Sequence, residues 1–454
     1  MPTNLFNPAD RRKYPARWPM RRGKQLFEVV DNRSEDGTEE LLSVSHITGI
    51  TPRSQKNVTM FKSESLVGYK RCEVGDIAAN TMWTWHGAIG VSDYAGVVSP
   101  AYNVYRQRES TYNPRYLDFL LREKNLVAVY HSLSTGIRPS RLRLYPDVFL
   151  TVYFPVPSME EQEKMVHFLD WKVSKINALI NIKKKQLSLL KMRKIGIINN
   201  ALNTGIAGSK LKDSTIYGLT QIPETWIERP LKYFVTSNDE SLSGKTPDDY
   251  EIDYIDISTT GFRCLKKEPL HLSFGEAPSR ARRIVREGDT ILSTVRTYLK
   301  AVLYIDGDLD GLVASTGFSV LRPKKGVYSK LLSYALSCDY FIDSVIRNSA
   351  GTSYPAITDK RLLSLKLALP ASEDEQKELF EYITQLTATT DDAIASLNAE
   401  IISLQSLKER LISDVITGNI DTRNVEVPEY EYVMETLDAD DDMDSDDEFT
   451  GEEE

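Results

Sequence analysis

EDEQKELFEYITQLTATTDDAIASLNAEIISLQSLKERLISDVITG, residues 373–418, decides how the whole chain is read, because residues 160–205 carry a degenerate copy of it. In the later copy Ile383, Leu386, Ile394, Leu397, Ile401, Leu404, Leu411 and Val415 fall mostly at steps of three and four, the seam of a coiled-coil helix. Met165, Leu169, Val173, Ile176, Ile180, Leu187, Leu190, Ile198 and Leu202 supply a similar seam in the earlier copy. Each stretch follows a proline-ended apolar run, at Pro157 or Pro370, and has Ser158 or Ser372 in place to cap it. Acids in the first turn (Glu160 and Glu161; Glu373 and Asp374) suit the helix dipole. At ~1.5 Å per residue each helix is ~65 Å long, longer than most single domains need, which points to a spacer.

Working outward, the copying extends to the rest of the chain at one offset of 213 residues, which pairs Ser45 with Ser258, Gly75 with Gly288 and Asp76 with Asp289. EVGDIAAN (73–80) matches REGDTILS (286–293), and LLSVSHITG (41–49) matches YIDISTTG (254–261). VVSPAYNVYR (97–106) matches VASTGFSVLR (313–322) after a small insertion, and Thr204-Gly205 matches Thr417-Gly418 as a helix end with glycine beyond it. The chain is two copies of one unit. Each unit opens with about 150 residues containing short β-branched runs, among them 41–47, 97–105, 254–257, 290–293 and 301–305, followed by a helix at 113–122 or 329–338. A turn at Gly136 or Gly351 leads through TVYFPVP or LKLALP into the long helix. The expected fold is therefore α+β: two sheet-rich domains with long loops, related by a pseudo-twofold axis and joined by two long antiparallel helices that form a coiled-coil spacer. Ile176, Ile180, Leu187 and Leu190 are expected to pack on Ile394, Leu397, Ile401 and Leu404.

The 454 residues, 41% of them hydrophobic, exceed one ordinary core and fit a multidomain globular protein. No apolar run of membrane-spanning length and no signal peptide is visible, so the expected compartment is the cytoplasm. Cys72, Cys264 and Cys338 form no CxxC pair and are expected to be buried and inert; the five histidines include no HExxH or HxH. From Val425 onward there are 15 acids and no Lys or Arg, which leaves 56 basic and 50 acidic residues before that point, a balance of +6. The body is mildly basic, which permits nucleic-acid binding without establishing it. The tail is too acidic and too poor in core residues to fold alone, and it reads as disordered, with a DNA-mimicking segment as the alternative.

Three strings resemble those of the specificity subunit of type I restriction-modification enzymes. LKDSTIYGLTQIPETWIERPLKYF (211–234) is similar to that family's entry into a target-recognition domain, GTSYPAITDKRLLSLKLALPASEDEQ (351–376) to its exit into a conserved helix, and SLKERLISDVITGNID (406–421) to its distal conserved region. The segment 11–27 departs from the entry string and keeps only Trp18 and Leu26 of it. The resemblance implies a first target-recognition domain at 1–156, a central conserved helix at 157–206, a second domain at 207–370, a distal conserved helix at 371–421 and the tail at 422–454. It further implies a noncatalytic subunit of a DNA methylation complex that reads a bipartite, asymmetric DNA target, one domain per half-site. The helices would fix the spacing and bind two methyltransferase subunits, joined where the system restricts by two restriction and translocation subunits. No cofactor is expected on this chain; S-adenosylmethionine, ATP and Mg belong to the partner subunits.

Base edges are read by donors and acceptors on loops. In the second domain the candidates are Thr259, Thr260 and Arg263, then Arg280, Arg282 and Arg283, then Arg296, Tyr298 and Lys300; for each alone, a solvated surface charge or hydroxyl is the plainer reading. The first domain has His46, Thr48, Arg53 and Lys56, then Trp83, Trp85 and His86 of TMWTWHG, where the second has STVRTYL. The two tryptophans read either as one face of a strand packed in the core or as wedges against a distorted base. Arg138 and Arg141 after Gly136, and Ser353 and Tyr354 after Gly351, form a third matched loop. Lys183, Lys184 and Lys185 interrupt the first seam, as a solvated face or a grip on spacer phosphates. No catalytic constellation assembles: SGKT (243–246) lacks the first P-loop glycine, Pro247-Asp248 lacks the acid and lysine of a nuclease, and NPRY (113–116) fits a helix start. The alternative to a specificity subunit is a stand-alone coiled-coil DNA-binding decoy or protein-interaction adaptor.

Overall fold

The computed structural model describes residues 13–55, 65–136, 142–307, 311–352 and 354–436. They form two compact units: residues 1–185 with 397–454, and residues 186–396. Both long helices are present, Met159–Thr204 and Glu373–Ile416, and each unit contains half of each. The serines cap them as expected, Ser158 Oγ accepting from Glu161 N at 3.3 Å and Ser372 Oγ from Glu375 N at 3.2 Å. Gly205 and Gly418 follow the helix ends at φ +72° and +76°.

The duplication seen in the sequence is a duplication of topology. In the first unit an antiparallel sheet runs in the order Phe27–Val30, Asn103–Gln107, Ile77–Ala79, Ile89–Val91; in the second it runs Val235–Ser237, Phe318–Pro323, Thr290–Ser293, Val302–Tyr304. The expected strand 97–105 is two, Gly96–Val98 and Asn103–Gln107, because the turn around Ser99 moves the chain from one sheet to the other. The second sheet of the second unit places Glu251–Ile255 parallel to Leu312–Ser315; the first unit has the same neighbours, Leu42–Ser45 beside Gly96–Val98 through the parallel bridge Leu41–Val97.

Apolar residues of the two sheets interleave in each unit, as with Ile255, Leu312, Ile291 and Val320. Behind the sheet lie two short helices: Pro114–Leu121 and Lys124–Leu133 in one unit, Ser329–Leu336 and Asp339–Arg347 in the other. The second helix of each pair was missed in the sequence, since only two residues separate it from the first. Asn113 caps the first of them, its side chain accepting from Arg115 N at 2.9 Å and Tyr116 N at 3.2 Å, so NPRY is a helix start.

The repeated motifs turn out to be partners. Arg106 makes a two-point ion pair with Asp76 at 2.7 and 2.8 Å, and Arg322 makes the same pair with Asp289 at 2.9 and 2.8 Å. Each aspartate also accepts from the backbone N–H three residues earlier, at Glu73 or Arg286, which fixes the Gly-Asp turn. The Asp side chains are 2% and 1% exposed, so the pair holds the ends of two strands together from within.

The entry to the first domain also has its counterpart. PARW (15–18) stands where the second unit has PETW (223–226). A Cβ added to Gly418 would lie 2.4 Å from Pro15, as one on Gly205 would lie 2.6 Å from Pro223. Trp18 and Trp226 are both buried, and Met20–Arg22 pairs with Tyr153–Pro155 as Trp226–Pro230 pairs with Lys366–Pro370.

In the first unit Ile176, Ile180, Leu397 and Ile401 are buried and Leu404 half-buried; in the second Leu187, Leu190 and Ile394 are half-buried. The helix halves run antiparallel within each unit, as shown by Lys183–Glu400 at 2.6 Å with Lys408–Asn177 at 3.3 Å, and by Lys194–Asp391 at 2.5 Å with the burial of Ile198 against Leu379 and Ile383. Leu386, placed in the seam by its spacing, is exposed instead. Cys72 and Cys338 are buried, and burial pushes both thiols up to about 12; Cys264 is exposed, against expectation, because it lies on the turn after Gly261. Among the described residues no helix is long and apolar enough to cross a membrane, and no three His, Cys, Asp or Glu side chains are grouped to hold a metal ion.

Residues 425–436, the beginning of the expected disordered tail, lie extended along the helix pair of the first unit. Residues 437–454 lie outside those described.

Candidate nucleic-acid interface

Each unit carries a short 3-10 turn immediately after the central strand of its first sheet, Thr84–His86 in one and Thr297–Leu299 in the other. The turns coincide at the offset of 213, and so do their anchors: Asn80 N donates to Ala88 O at 2.9 Å, and Ser293 N to Ala301 O at 2.9 Å. Thr84 and Thr297 point inward, Thr84 Oγ1 donating to Asn80 O at 2.6 Å and Thr297 Oγ1 sharing a hydrogen bond with Ser349 Oγ at 2.8 Å. The residues on either side of this threonine face outward, and there the units differ.

In the first unit the tip is aromatic. Trp83 and Trp85 are half-buried and stack on each other, centroids 5.7 Å apart at 15°. Their stacking comes from the turn; they are not on a strand, and neither is wholly in the core. His86 is exposed, with His46 4.7 Å from its ring, and His131 stands 5.5 Å from Trp85. His131 was missed in the sequence, because nothing local signals that the helix Lys124–Leu133 passes behind the turn. Arg53 is half-buried in a turn of its own, Arg53–Gln55. The Thr48 hydroxyl is buried and without a hydrogen-bond partner.

In the second unit the tip is cationic. Arg296 and Lys300 flank the turn in the left-handed region, φ 54° and 52°, with Tyr298 and Leu299 exposed between them. The Arg296 guanidinium lies over the Tyr354 ring at 4.6 Å, which joins this turn to the loop after Gly351; the bridge Val295–Ala356 holds the two together. Arg263 is a third left-handed residue, φ 61°. Its N–H donates to Val302 O at 2.7 Å, and its guanidinium lies 3.8 Å from the Tyr334 ring, where burial lowers its pKa without discharging it.

Other candidates have structural duties. Thr259 and Thr260 are each 2% exposed, and Thr259 closes a turn on Asp256, so they shape their loop from inside. Arg282 stacks on Phe274 at 4.6 Å and Arg283 stands 3.9 Å from Asp359; Arg280 is exposed. Lys183 pairs with Glu400 and Lys184 with Glu435, while Lys185 is exposed. Lys56, Arg138, Arg141 and Ser353 lie outside the described residues.

A turn held on a rigid sheet with a stacking tip in one copy and a guanidinium and ammonium in the other suits readout of two different base sequences. Aromatic faces stack on bases or touch the thymine methyl, whereas Arg and Lys donate to guanine O6 and N7.

Residues 223–402 match the type I restriction modification DNA specificity domain. The chain thus carries that domain and resembles type I restriction-modification specificity subunits in sequence. It is 24% identical over 346 residues to the type I restriction enzyme MjaVIII specificity subunit of Methanocaldococcus jannaschii, a match covering 73% of this chain and 76% of that one. It is 31% identical over 131 residues to the HindI specificity subunit of Haemophilus influenzae, covering 28% of this chain and 27% of that one. A solved chain from a study of complex assembly and conformational transition of the type I R-M system shares the fold, with a TM-score of 0.52, 16% identity, and coverage of 90% of this chain and 99% of that one.

Proposed function

We propose that this chain is the noncatalytic DNA-reading subunit of a type I restriction-modification system, each unit reading one half of a bipartite, asymmetric target. The observation that carries this reading is the pair of equivalent turns at Thr84–His86 and Thr297–Leu299, alike in framework and different in outward chemistry. The long helices set the gap between half-sites and carry two methyltransferase subunits, with two restriction and translocation subunits where the system cleaves. Exposed Leu179, Ile182 and Leu407 on the helix halves of the first unit, and Leu189, Met192 and Leu386 on those of the second, supply apolar surface for such partners. S-adenosylmethionine, ATP and Mg act on those partners, and the assembly works on the genome in the cytoplasm.

The test is to express the chain with its methyltransferase and map methylated adenines across a genome. Two half-sites at a fixed gap are expected. Exchanging the second unit's recognition domain for another should change one half-site only; an unchanged target would overturn the assignment.

A further inference from the structure

The first long helix carries a polar stripe beside its seam: Ser174, Asn177, Asn181 and Lys184, at steps of three, four and three. Asparagine is a poor helix former and an expensive residue to bury, yet Asn177 is only 6% exposed. The equivalents of Ser174, Asn177, Asn181 and Lys184 at the offset of 213 are Thr387, Thr390, Ile394 and Leu397, so the second helix keeps buried hydroxyls at the first two positions but has neither the amides nor the ammonium. Those groups are particular to the first unit.

Residues 430–436, YEYVMET, lie extended along that stripe. Ser174 Oγ accepts from Val433 N at 3.1 Å, and Asn177 Nδ2 donates to Val433 O at 3.0 Å. One turn further, Asn181 Nδ2 donates to Met434 O at 2.9 Å while its Oδ1 accepts from Thr436 N at 2.9 Å and from Thr436 Oγ1 at 2.9 Å. Lys184 Nζ donates to Thr436 O at 2.8 Å. The side-chain amides thus serve the extended backbone as a neighbouring strand would.

One side chain of the segment is taken inward. Glu435 pairs with Lys408 of the second helix, accepts from Gln405 Nε2 at 3.2 Å and lies 3.5 Å from Lys184. Burial opposes its charge, but Lys408, Gln405 and Lys184 outweigh that and hold the carboxyl below its usual value. Arg115 Nη2 donates to the Tyr432 hydroxyl at 2.6 Å, yet Tyr432 and Met434 remain 50% and 72% exposed. The segment is held mainly by its backbone and one carboxylate, with added contacts from Tyr432 to Arg115 and from Tyr430 to His167; no side chain of 430–436 is fully buried.

We propose that Ser174, Asn177, Asn181, Lys184, Gln405 and Lys408 form a peptide-binding groove for an extended segment bearing one carboxylate, occupied in cis by residues 430–436 and open to exchange with the same peptide in trans. The groove reads backbone direction through the asparagines and position through the glutamate, so its ligands are extended acidic peptides.

Hydrogen exchange followed by mass spectrometry on the full chain tests this. The amides of 430–436 should be protected, and a synthetic peptide of residues 430–436 at several mM should raise their exchange several-fold, because a short tether gives an effective concentration on the order of mM. The same peptide with Glu435→Gln should do so much less. In the full chain Asn181→Ala and Lys408→Met should each speed exchange across 430–436 about tenfold and leave the sheets unchanged. Absence of protection in the native chain would overturn the proposal. So would protection that neither peptide nor substitution alters, which would make the segment a fixed part of the fold.

Discussion

The two turns at Thr84–His86 and Thr297–Leu299 separate what a duplicated domain must keep from what it is free to change. Kept are the inward threonine, the strand that delivers it and the Asp–Arg pair that ties the Gly-Asp turn to the neighbouring strand. Changed are the outward residues: Trp83, Trp85 and His86 against Arg296, Tyr298 and Leu299. Folding free energy is invested in the first set, because those groups are buried and hydrogen-bonded. The second set is only partly buried, so substitution there costs less stability and, on the proposed reading, would alter recognition.

The sharpest way to break the comparison is to attack what the units share. Replacing Arg106 or Arg322 by Met leaves a carboxylate buried without its partner. We expect either change to cost about 2–4 kcal/mol, less than for a wholly buried pair because the guanidinium is 37% exposed in one unit and 26% in the other. Thermal melts should show similar losses for both; a large loss in one and none in the other would show that the frameworks are not equivalent.

Attacking what differs should leave stability nearly untouched and split the DNA readout. Arg296→Ala is expected to weaken binding of the cognate site by about 1–3 kcal/mol if it contacts a guanine edge, and to relax specificity at one position of one half-site. If it grips phosphate instead, the loss is uniform over sequences and the salt dependence falls by about one charge. Trp85→Ala in the first unit should cost about 1–3 kcal/mol through lost stacking while leaving the salt dependence as it was. Binding titrations at several salt concentrations with each half-site scrambled in turn distinguish these outcomes.

The framework was the legible part of the chain. Seam spacing, caps and the offset of 213 all arise from residues that must be apolar, small or acidic for local reasons, and these gave the helices, the duplication and most strands. Less of the interface was legible. Trp83 and Trp85 were expected on one face of a strand because alternation alone cannot distinguish a strand from a turn of the same length. Thr259 and Thr260 have the composition of a reading loop but are needed inside it, closing a turn on Asp256. PARW at 15–18 shares only its proline and tryptophan with PETW, and it takes the packing on Gly418 to show that those two suffice. The docking of 430–436 was hidden for another reason: a segment with no core residues folds only on a surface supplied from elsewhere. Its trace was nevertheless in the first helix, where two asparagines sit directly beside the seam residues Ile176 and Ile180.

The smallest expected effect is also the one with opposite signs in the two units. Gly87 closes the first turn at φ +99°, and Lys300, its equivalent, closes the second at φ 52°. A Cβ on Gly87 would meet Val127 at 3.6 Å, an ordinary contact, so Gly87→Ala is opposed only by its backbone conformation, at about 1 kcal/mol. Lys300→Gly removes the same strain but adds freedom to the unfolded chain, so its gain is smaller, up to about 0.5 kcal/mol. A lysine kept in a position better suited to glycine implies that its ammonium is worth more than the strain it causes. Lys300→Gly should therefore raise the melting temperature slightly and weaken DNA binding, whereas Gly87→Ala should lower the melting temperature and leave the second half-site as strongly read as before. A Lys300→Gly chain that binds as tightly as the native one would make the strain at this turn an accident of descent.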